Sequence, residues 1–275
     1  AVEALEPFID YVRQRDLPTT APLTPVTPEA VRVALDELVT SKVVSRVEGL
    51  SETVYVIEKD QHLAAAYYRN TIIHFFVNGS IVEAAVAGML RDGSKGMDEL
   101  LARAFGWRAI LKFDFFFESR DAFRESIVEE LLLECPEGVD RVDRGDLEGV
   151  FDTLAPATSP AVLVPFLEAY RIVATVIAEA DSAEALDVKT IKQRSLRLGR
   201  QHAAQGRIST PESLSTELFA SGVALADNAG LLTDADDDDR REFLSDIEDA
   251  LEDLRLVQAA SRAGVTTEPT HKMTS

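Results

Sequence analysis

The stretch that decides the fold runs from Asp60 to Leu90 and reads DQHLAAAYYRNTIIHFFVNGSIVEAAVAGML. After Asp60, only Arg69 and Glu83 carry a full charge in it. At 100° per residue its apolar side chains cover every face of a helix, which is typical of a helix that is buried on all sides or spans a membrane. The uncharged run, residues 70–82, is shorter than the ~20 residues that a membrane crossing needs. The sequence therefore predicts a buried central helix.

Two signals divide this stretch near its middle. Asn78-Gly79 is predicted to end the central helix, because glycine and asparagine favour the backbone conformation found just after helix C-termini. Ser80 and Glu83 have the spacing of an S-x-x-E capping box, which predicts that a second helix begins here.

The predicted central helix also carries a cluster of polar side chains, which are Tyr67, Tyr68, Arg69, Asn70 and His74. Buried polar groups need hydrogen-bond partners. One interpretation is a structural network in which Arg69 pairs with Glu168 of a second apolar helix. The other is a surface that contacts another domain.

The composition restricts the function. The chain has 275 residues, and 46% of them are hydrophobic, which is enough for a large core. Its net charge of −20 disfavours nucleic-acid binding, because phosphate contacts dominate the affinity of proteins of that class. The single cysteine, Cys135, excludes an internal disulfide and offers no CxxC metal signal. HExxH, Walker A and GxSxG motifs are absent, so the sequence predicts no cofactor and no metal.

Residues 1–58 are predicted to form a small α/β unit. Thr27-Pro28-Glu29 is a strong helix start, with a threonine cap and an early proline. Two valine-containing runs, 43–47 and 53–57, flank GLSE and predict a β-hairpin. A helix followed by a hairpin resembles a winged helix. Its helix carries more acids than bases, however, which disfavours DNA recognition.

The rest of the chain predicts a helical domain, residues 59–263, built around buried central helices and followed by a flexible tail, residues 264–275. The fold class is therefore mainly α. Pro160–Ala180 is the second strongly apolar segment and is predicted to be buried. The alternating segment 109–117 is assigned to a helix, and 138–149 to a polar connection. Further helices are expected at 97–105, 119–133 and 214–225, and after the acidic run 234–239.

One segment carries charge opposite to the rest of the protein. Between residues 187 and 207 there are six lysine and arginine residues against one acid. Helical spacing predicts an amphipathic helix whose outer face carries Lys189, Lys192, Arg197 and Arg200. A basic amphipathic helix can lie on an anionic membrane or hold a phosphate. It can also dock on the acidic remainder of its own protein, and both interpretations stay open.

Four motifs stand out between residues 67 and 228. They are YYRN followed by HFF (67–76), LKF with FF (111–116), GRQ through GR (199–207) and LADN (225–228). Together they resemble the C-terminal region of bacterial glycerol-3-phosphate acyltransferases, over about residues 29–256. The resemblance implies a peripheral enzyme on the cytoplasmic face of the inner membrane. Such an enzyme transfers an acyl group from acyl-CoA or acyl carrier protein to the 1-position of glycerol 3-phosphate, the first step of phospholipid synthesis.

The catalytic motif of that family, H-x4-D, is missing. It requires an aspartate five residues after a histidine, but those positions hold Tyr67, Gly79 and Arg207, and His271 is too close to the end of the chain. The resemblance therefore implies a non-catalytic domain that supports catalysis or membrane association. Its implied partner is an acyltransferase catalytic domain on the same or a separate polypeptide.

Two other functional classes stay open. An all-α ligand-binding, regulatory or scaffold protein would be stable and soluble as an isolated chain. A winged-helix transcriptional regulator would need a basic face in its N-terminal unit, which the sequence lacks.

Overall fold

The computed structural model describes residues 2–19, 27–49, 53–58, 60–154, 158–180, 187–233 and 235–266. The chain forms two compact units, residues 1–75 and 76–275. The mainly helical fold class is confirmed. The division into 1–58, 59–263 and 264–275 stays a prediction, and of the predicted tail residues 267–275 lie outside the described residues.

Among its described residues, the first unit contains three α-helices and a hairpin. These are α1 (Val2–Gln14), α2 (Pro28–Thr40), β1 (Ser45–Glu48), β2 (Thr53–Val56) and α3 (His62–Asn70). Thr27 caps α2 as predicted, because its hydroxyl accepts a hydrogen bond of 3.1 Å from the backbone N–H of Ala30. The strands are antiparallel, with Ser45 opposite Val56. The hairpin is confirmed, and its winged-helix character stays a prediction.

The second unit is helical throughout the residues that the structure describes. Its helices are α4 (Val77–Asp92), α5 (Met97–Leu111), α6 (Arg120–Glu134), α7 (Gly138–Arg144), α8 (Leu147–Leu154), α9 (Ser159–Ala178), α10 (Val188–Ala204), α11 (Thr216–Asn228) and α12 (Asp237–Thr266). Two 3₁₀ helices, Ile73–Phe76 and Pro211–Leu214, precede α4 and α11. Helix α9 is central, since α4, α10, α11 and α12 all pack against it.

The two apolar helical segments lie mainly inside the protein. Ile73–Asp92 and Ser159–Ala178 are each long and apolar enough to cross a membrane, but 78% and 72% of their most apolar windows are buried. Burial of this kind is typical of core helices in a globular unit. The buried central helices are therefore α4 and α9, and α9 matches the predicted apolar segment Pro160–Ala180.

The prediction of one helix running on from Asp60 is wrong. Helix α3 ends at Asn70, and the chain then passes through the 3₁₀ helix Ile73–Phe76 before α4 begins at Val77. Asn78 and Gly79 lie in the first turn of α4 and do not end a helix. Only α4 is buried on nearly every face, because the apolar pattern of the stretch is strongest there.

The prediction of a capping box at Ser80 and Glu83 is also wrong, because Glu83 caps a different helix. Its carboxylate accepts hydrogen bonds from the N–H and hydroxyl of Thr158, at 3.3 and 2.7 Å, and from the N–H of Ser159 at 2.8 Å. These groups form the N-terminus of α9, whose positive dipole end favours a carboxylate. Burial raises the pKa of Glu83, and the hydrogen bonds from Ser159 and Thr158 oppose the shift.

Two segments differ from their predicted secondary structure. Residues 112–117 leave the helical path after α5, because Phe115 and Phe117 turn inward onto Phe166 and Phe123. The segment 138–149, predicted as a connection, contains α7 and the start of α8. The two helices are separated by Gly145, whose φ of +79° favours glycine.

Candidate anion-binding face

Helix α10 is positioned by a cap and by a buried apolar stripe. Asp187 accepts a hydrogen bond of 3.0 Å from the backbone N–H of Thr190, and hydrogen bonding from Thr190 lowers the pKa of Asp187. Ile191, Ser195 and Gly199 are buried, on the side where α9 and α11 pack. A Cβ at Gly199 would lie 2.7 Å from a methyl carbon of Leu214, so glycine allows the helix to approach closely. These contacts fix which face of α10 points outward.

The outward face of α10 carries the four basic residues selected from the sequence, Lys189, Lys192, Arg197 and Arg200. Lys189, Arg197 and Arg200 are exposed, and Lys192 is half-buried at the edge. From residue 189 to residue 200 the face extends about 16 Å along the helix axis. Within the part of the chain that the structure describes, none of the four forms an ion pair within 4 Å.

A shallow cavity adjoins this basic face. It has a volume of about 320 Å³, and it is lined by Val176, Glu179, Arg194, Arg197, Leu198 and Gln201. Arg194 and Arg197 lie one helical turn apart, and both line the cavity. Glu179 on the opposite wall limits the amount of negative charge that the cavity can hold. The arrangement suits a single phosphate-sized group better than a polyanion.

The polar cluster at residues 67–74 is more exposed than predicted. Tyr67 is 70% exposed and Tyr68 49% exposed, and Asn70 and His74 are exposed as well. Arg69, which is half-buried, donates a hydrogen bond of 3.0 Å to the side-chain oxygen of Asn70. The structure thus brings Arg69 and Asn70 together at the end of α3. Whether the cluster is a structural network or a contact surface stays a prediction.

Within the second unit, Glu168 accepts hydrogen bonds from the segment that follows α10. Its carboxylate accepts hydrogen bonds of 2.8 Å from both the N–H and the hydroxyl of Ser209, and one of 2.7 Å from the hydroxyl of Ser213. Two longer bonds come from Thr210, at 3.3 and 3.4 Å. Within the second unit this carboxylate anchors the segment that follows α10, and its predicted pairing with Arg69 stays a prediction.

Sequence reasoning missed the outward side chains of residues 112–117. Phe116 is 98% exposed and Phe113 is 42% exposed. Between them, Asp114 is buried enough to raise its pKa to about 6, and a hydrogen bond from Ser221 opposes the shift. The alternation of charge and phenylalanine in KFDFFF was the available signal, and it is not typical of a helix exposed on one face.

Comparison with known proteins places the chain in a family. It matches the model of the glycerol-3-phosphate acyltransferase C-terminal region over residues 2–235. It is 30% identical over 280 residues to curated proteins named "Putative acyltransferase plsB1" from Mycobacterium bovis (strain ATCC BAA-935 / AF2122/97) and from the Mycobacterium tuberculosis strains CDC 1551 and H37Rv. Each alignment covers 94% of this chain and 43% of the relative, so the chain spans less than half the length of these relatives. No solved structure matches. The chain therefore belongs to the family of glycerol-3-phosphate acyltransferase C-terminal regions.

Proposed function

We propose that this domain is the non-catalytic partner of an acyltransferase domain and that it holds the enzyme on an anionic membrane surface. The reaction is acyl transfer from acyl-CoA or acyl carrier protein to the 1-position of glycerol 3-phosphate, at the cytoplasmic face of the inner membrane. The observation that carries the membrane role is the exposed basic face of α10 on a protein of net charge −20. A patch of lysine and arginine on such an acidic protein favours one orientation toward anionic lipid.

The first prediction concerns catalysis. The purified 275-residue chain is expected to transfer no acyl group to glycerol 3-phosphate, because the residues five positions after His62, His74 and His202 are not aspartates. A histidine held by an aspartate is the base that the family's reaction requires. Radiolabelled glycerol 3-phosphate with acyl-CoA or acyl carrier protein provides the assay. Transfer above the level without protein would contradict the prediction.

The second prediction tests the membrane role. Changing Arg197 and Arg200 together to glutamine is expected to weaken binding to phosphatidylglycerol vesicles about 30-fold, because each basic residue contributes about 1 kcal/mol near an anionic surface. Binding of the unchanged chain should also fall as salt rises. Vesicle co-sedimentation measures both effects.

A matched control removes the same charge elsewhere. Lys95 and Arg124 are exposed and lie outside α10, so their double glutamine variant has the same net charge as the Arg197/Arg200 variant. It is expected to bind vesicles nearly as well as the unchanged chain. Equal losses in both variants would mean that only net charge matters. Unchanged vesicle binding by the Arg197/Arg200 variant would mean that α10 has only a structural role.

The third prediction tests the cluster at residues 67–74 as a contact with the catalytic domain. Tyr67 is 70% exposed, so Tyr67→Ala is expected to change the free energy of unfolding of the isolated chain by less than about 0.5 kcal/mol. In the longer enzyme the same change should lower acyl transfer. Thermal melting of both proteins, with exposed Val33→Ala in α2 as the control, separates the roles. A loss above about 1 kcal/mol in the isolated chain would favour the structural network.

A further inference from the structure

The segment between α5 and α6, residues 112–117, exposes two phenylalanine rings, while two others pack against the core. We call it the aromatic segment. The ring of Phe115 lies 4.9 Å from that of Phe166, and the ring of Phe117 lies 5.4 Å from that of Phe123, as distances between ring centres. Phe116, between these two anchors, is 98% exposed.

Polar contacts fix the rest of the aromatic segment to α11. The hydroxyl of Ser221 donates a hydrogen bond of 2.9 Å to Asp114. The ammonium group of Lys112 donates to the side-chain oxygen of Asn228. With anchors on both sides, the exposure of Phe116 follows from the fold of the segment and does not result from a loose loop.

The exposed aromatic area alone is smaller than one side of a stable protein interface. A phenylalanine side chain contributes about 200 Å² when fully exposed, so Phe116 and the 42% exposed Phe113 together offer roughly 300 Å². A stable protein interface buries about 800 Å² on each partner. A bilayer interface sets no such minimum, because binding there grows with the buried apolar area together with the attraction of basic residues to anionic lipid.

The aromatic segment lies on one face of α11, and α10 also packs against α11. Glu217, Ser221 and Asn228 share that face, since residues 4 and 11 positions apart fall within about 40° of one another on a helix. Ser221 and Asn228 hold the aromatic segment. At the other end, hydrogen bonding from Ser215 lowers the pKa of Glu217, and the charge of Lys192 contributes to the same shift. Lys192 is the edge of the basic face.

We propose that Phe113 and Phe116 insert into the interfacial region of an anionic bilayer while the basic face of α10 lies on its headgroups. Lys112, exposed beside Phe113, adds a cation at the same level. The inference rests on the proposed membrane role and adds the apolar part of the contact. In this arrangement the aromatic segment determines how deeply the protein inserts, and the basic face of α10 determines its preference for anionic lipid.

A tryptophan reporter tests the insertion. Phe116→Trp in the full 275-residue chain places an indole in the position of the exposed ring, and the native Trp107 is buried and stays constant. Vesicles of phosphatidylcholine and phosphatidylglycerol with brominated acyl chains should quench the new fluorescence and shift it to the blue. Leu133→Trp, at an exposed site on α6, is the control and should not be quenched.

A second variant measures the contribution to binding. Phe116→Ala is expected to weaken vesicle binding at least about tenfold, because it removes about 200 Å² of inserted apolar surface. Its melting temperature should not change, since a ring that is 98% exposed contributes little packing to the fold, and its salt dependence should match that of the unchanged chain. If the Phe116→Trp chain sediments with vesicles and its new fluorescence is not quenched, the insertion is overturned and the proposed membrane role is left standing.

Two other outcomes also decide the matter. If the unchanged chain does not sediment with anionic vesicles at low salt, the proposed membrane role and the insertion are both overturned. If Phe116→Ala instead changes the oligomeric state in light scattering and leaves vesicle binding intact, the rings serve contact between copies of the chain, and the insertion is overturned alone.

Discussion

Replacing Glu168 by alanine is expected to lower the free energy of unfolding by about 4 kcal/mol, the largest effect among the predicted variants. Glu168 is a buried carboxylate on the central helix α9. It accepts hydrogen bonds from Ser209, Thr210 and Ser213. Alanine removes the acceptor of the backbone N–H groups of Ser209 and Thr210 and the carboxylate partner of Ser213, whose hydroxyl keeps only the hydroxyl of Thr210 at 2.6 Å. Denaturant unfolding followed by circular dichroism measures the loss.

Two further variants show whether the loss comes from these hydrogen bonds. Glu168→Gln retains one acceptor oxygen and the side-chain volume, so about half of the loss is expected. Glu129→Ala removes an exposed carboxylate on α6 and should change stability by less than about 0.5 kcal/mol. A Glu168→Ala protein as stable as the Glu129→Ala control would show that water replaces the carboxylate and that the segment after α10 needs no anchor.

Local signals in the sequence predicted the helices whose ends are fixed by neighbouring residues. Thr27 caps α2 from one residue away, and the basic run within residues 187–207 predicted the amphipathic pattern of α10, although not its cap at Asp187. The basic face followed directly, since a helix with Ile191 and Ser195 buried must turn Arg197 and Arg200 outward. In these regions a single turn of helix contains all the information that is needed.

The two buried glutamates could not be assigned from the sequence, because their partners are distant along the chain. Glu83 contacts residues 75 and 76 positions later, and Glu168 contacts residues 41 to 45 positions later. An S-x-x-E spacing is the same whether the glutamate caps its own helix or another one. Tertiary packing alone decided between these outcomes.

In the aromatic segment, the spacing of apolar residues does not predict where α5 ends. Residues 109–111 do continue α5, so the helix assignment was correct for the first part of 109–117. It failed at Lys112, where Phe115 and Phe117 gain more contact by turning onto Phe166 and Phe123 than a further helical turn would provide. A short apolar run does not reveal which rings are buried. The exposed ring of Phe116 therefore required the structure.

Replacing Glu83 by alanine is expected to lower the free energy of unfolding by about 3 kcal/mol, the second largest effect. The carboxylate closes the N-terminus of α9 with bonds to Thr158 and Ser159, and these donors are buried. Without it, two backbone N–H groups and one hydroxyl lose their acceptor and the helix dipole loses its counter-charge. Chemical denaturation at pH 7 measures the loss. Ser80→Ala, which removes only a contact of 3.3 Å to the hydroxyl of Thr158, should cost less than about 1 kcal/mol.

Comparing the unchanged protein with Glu83→Gln at different pH values separates the effect of the Glu83 proton from the effect of its side-chain volume. Burial raises the pKa of Glu83 in the folded protein above its unfolded value. The stability linked to its proton is therefore fully present below about pH 4 and is lost as pH rises through the folded pKa. Glutamine does not titrate, so the unchanged protein should lose stability relative to Glu83→Gln as pH rises from 4 to 7. Parallel stability curves for the two proteins would mean that Glu83 is ionised in the fold at ordinary pKa, and that its hydrogen bonds at α9 fully offset its burial.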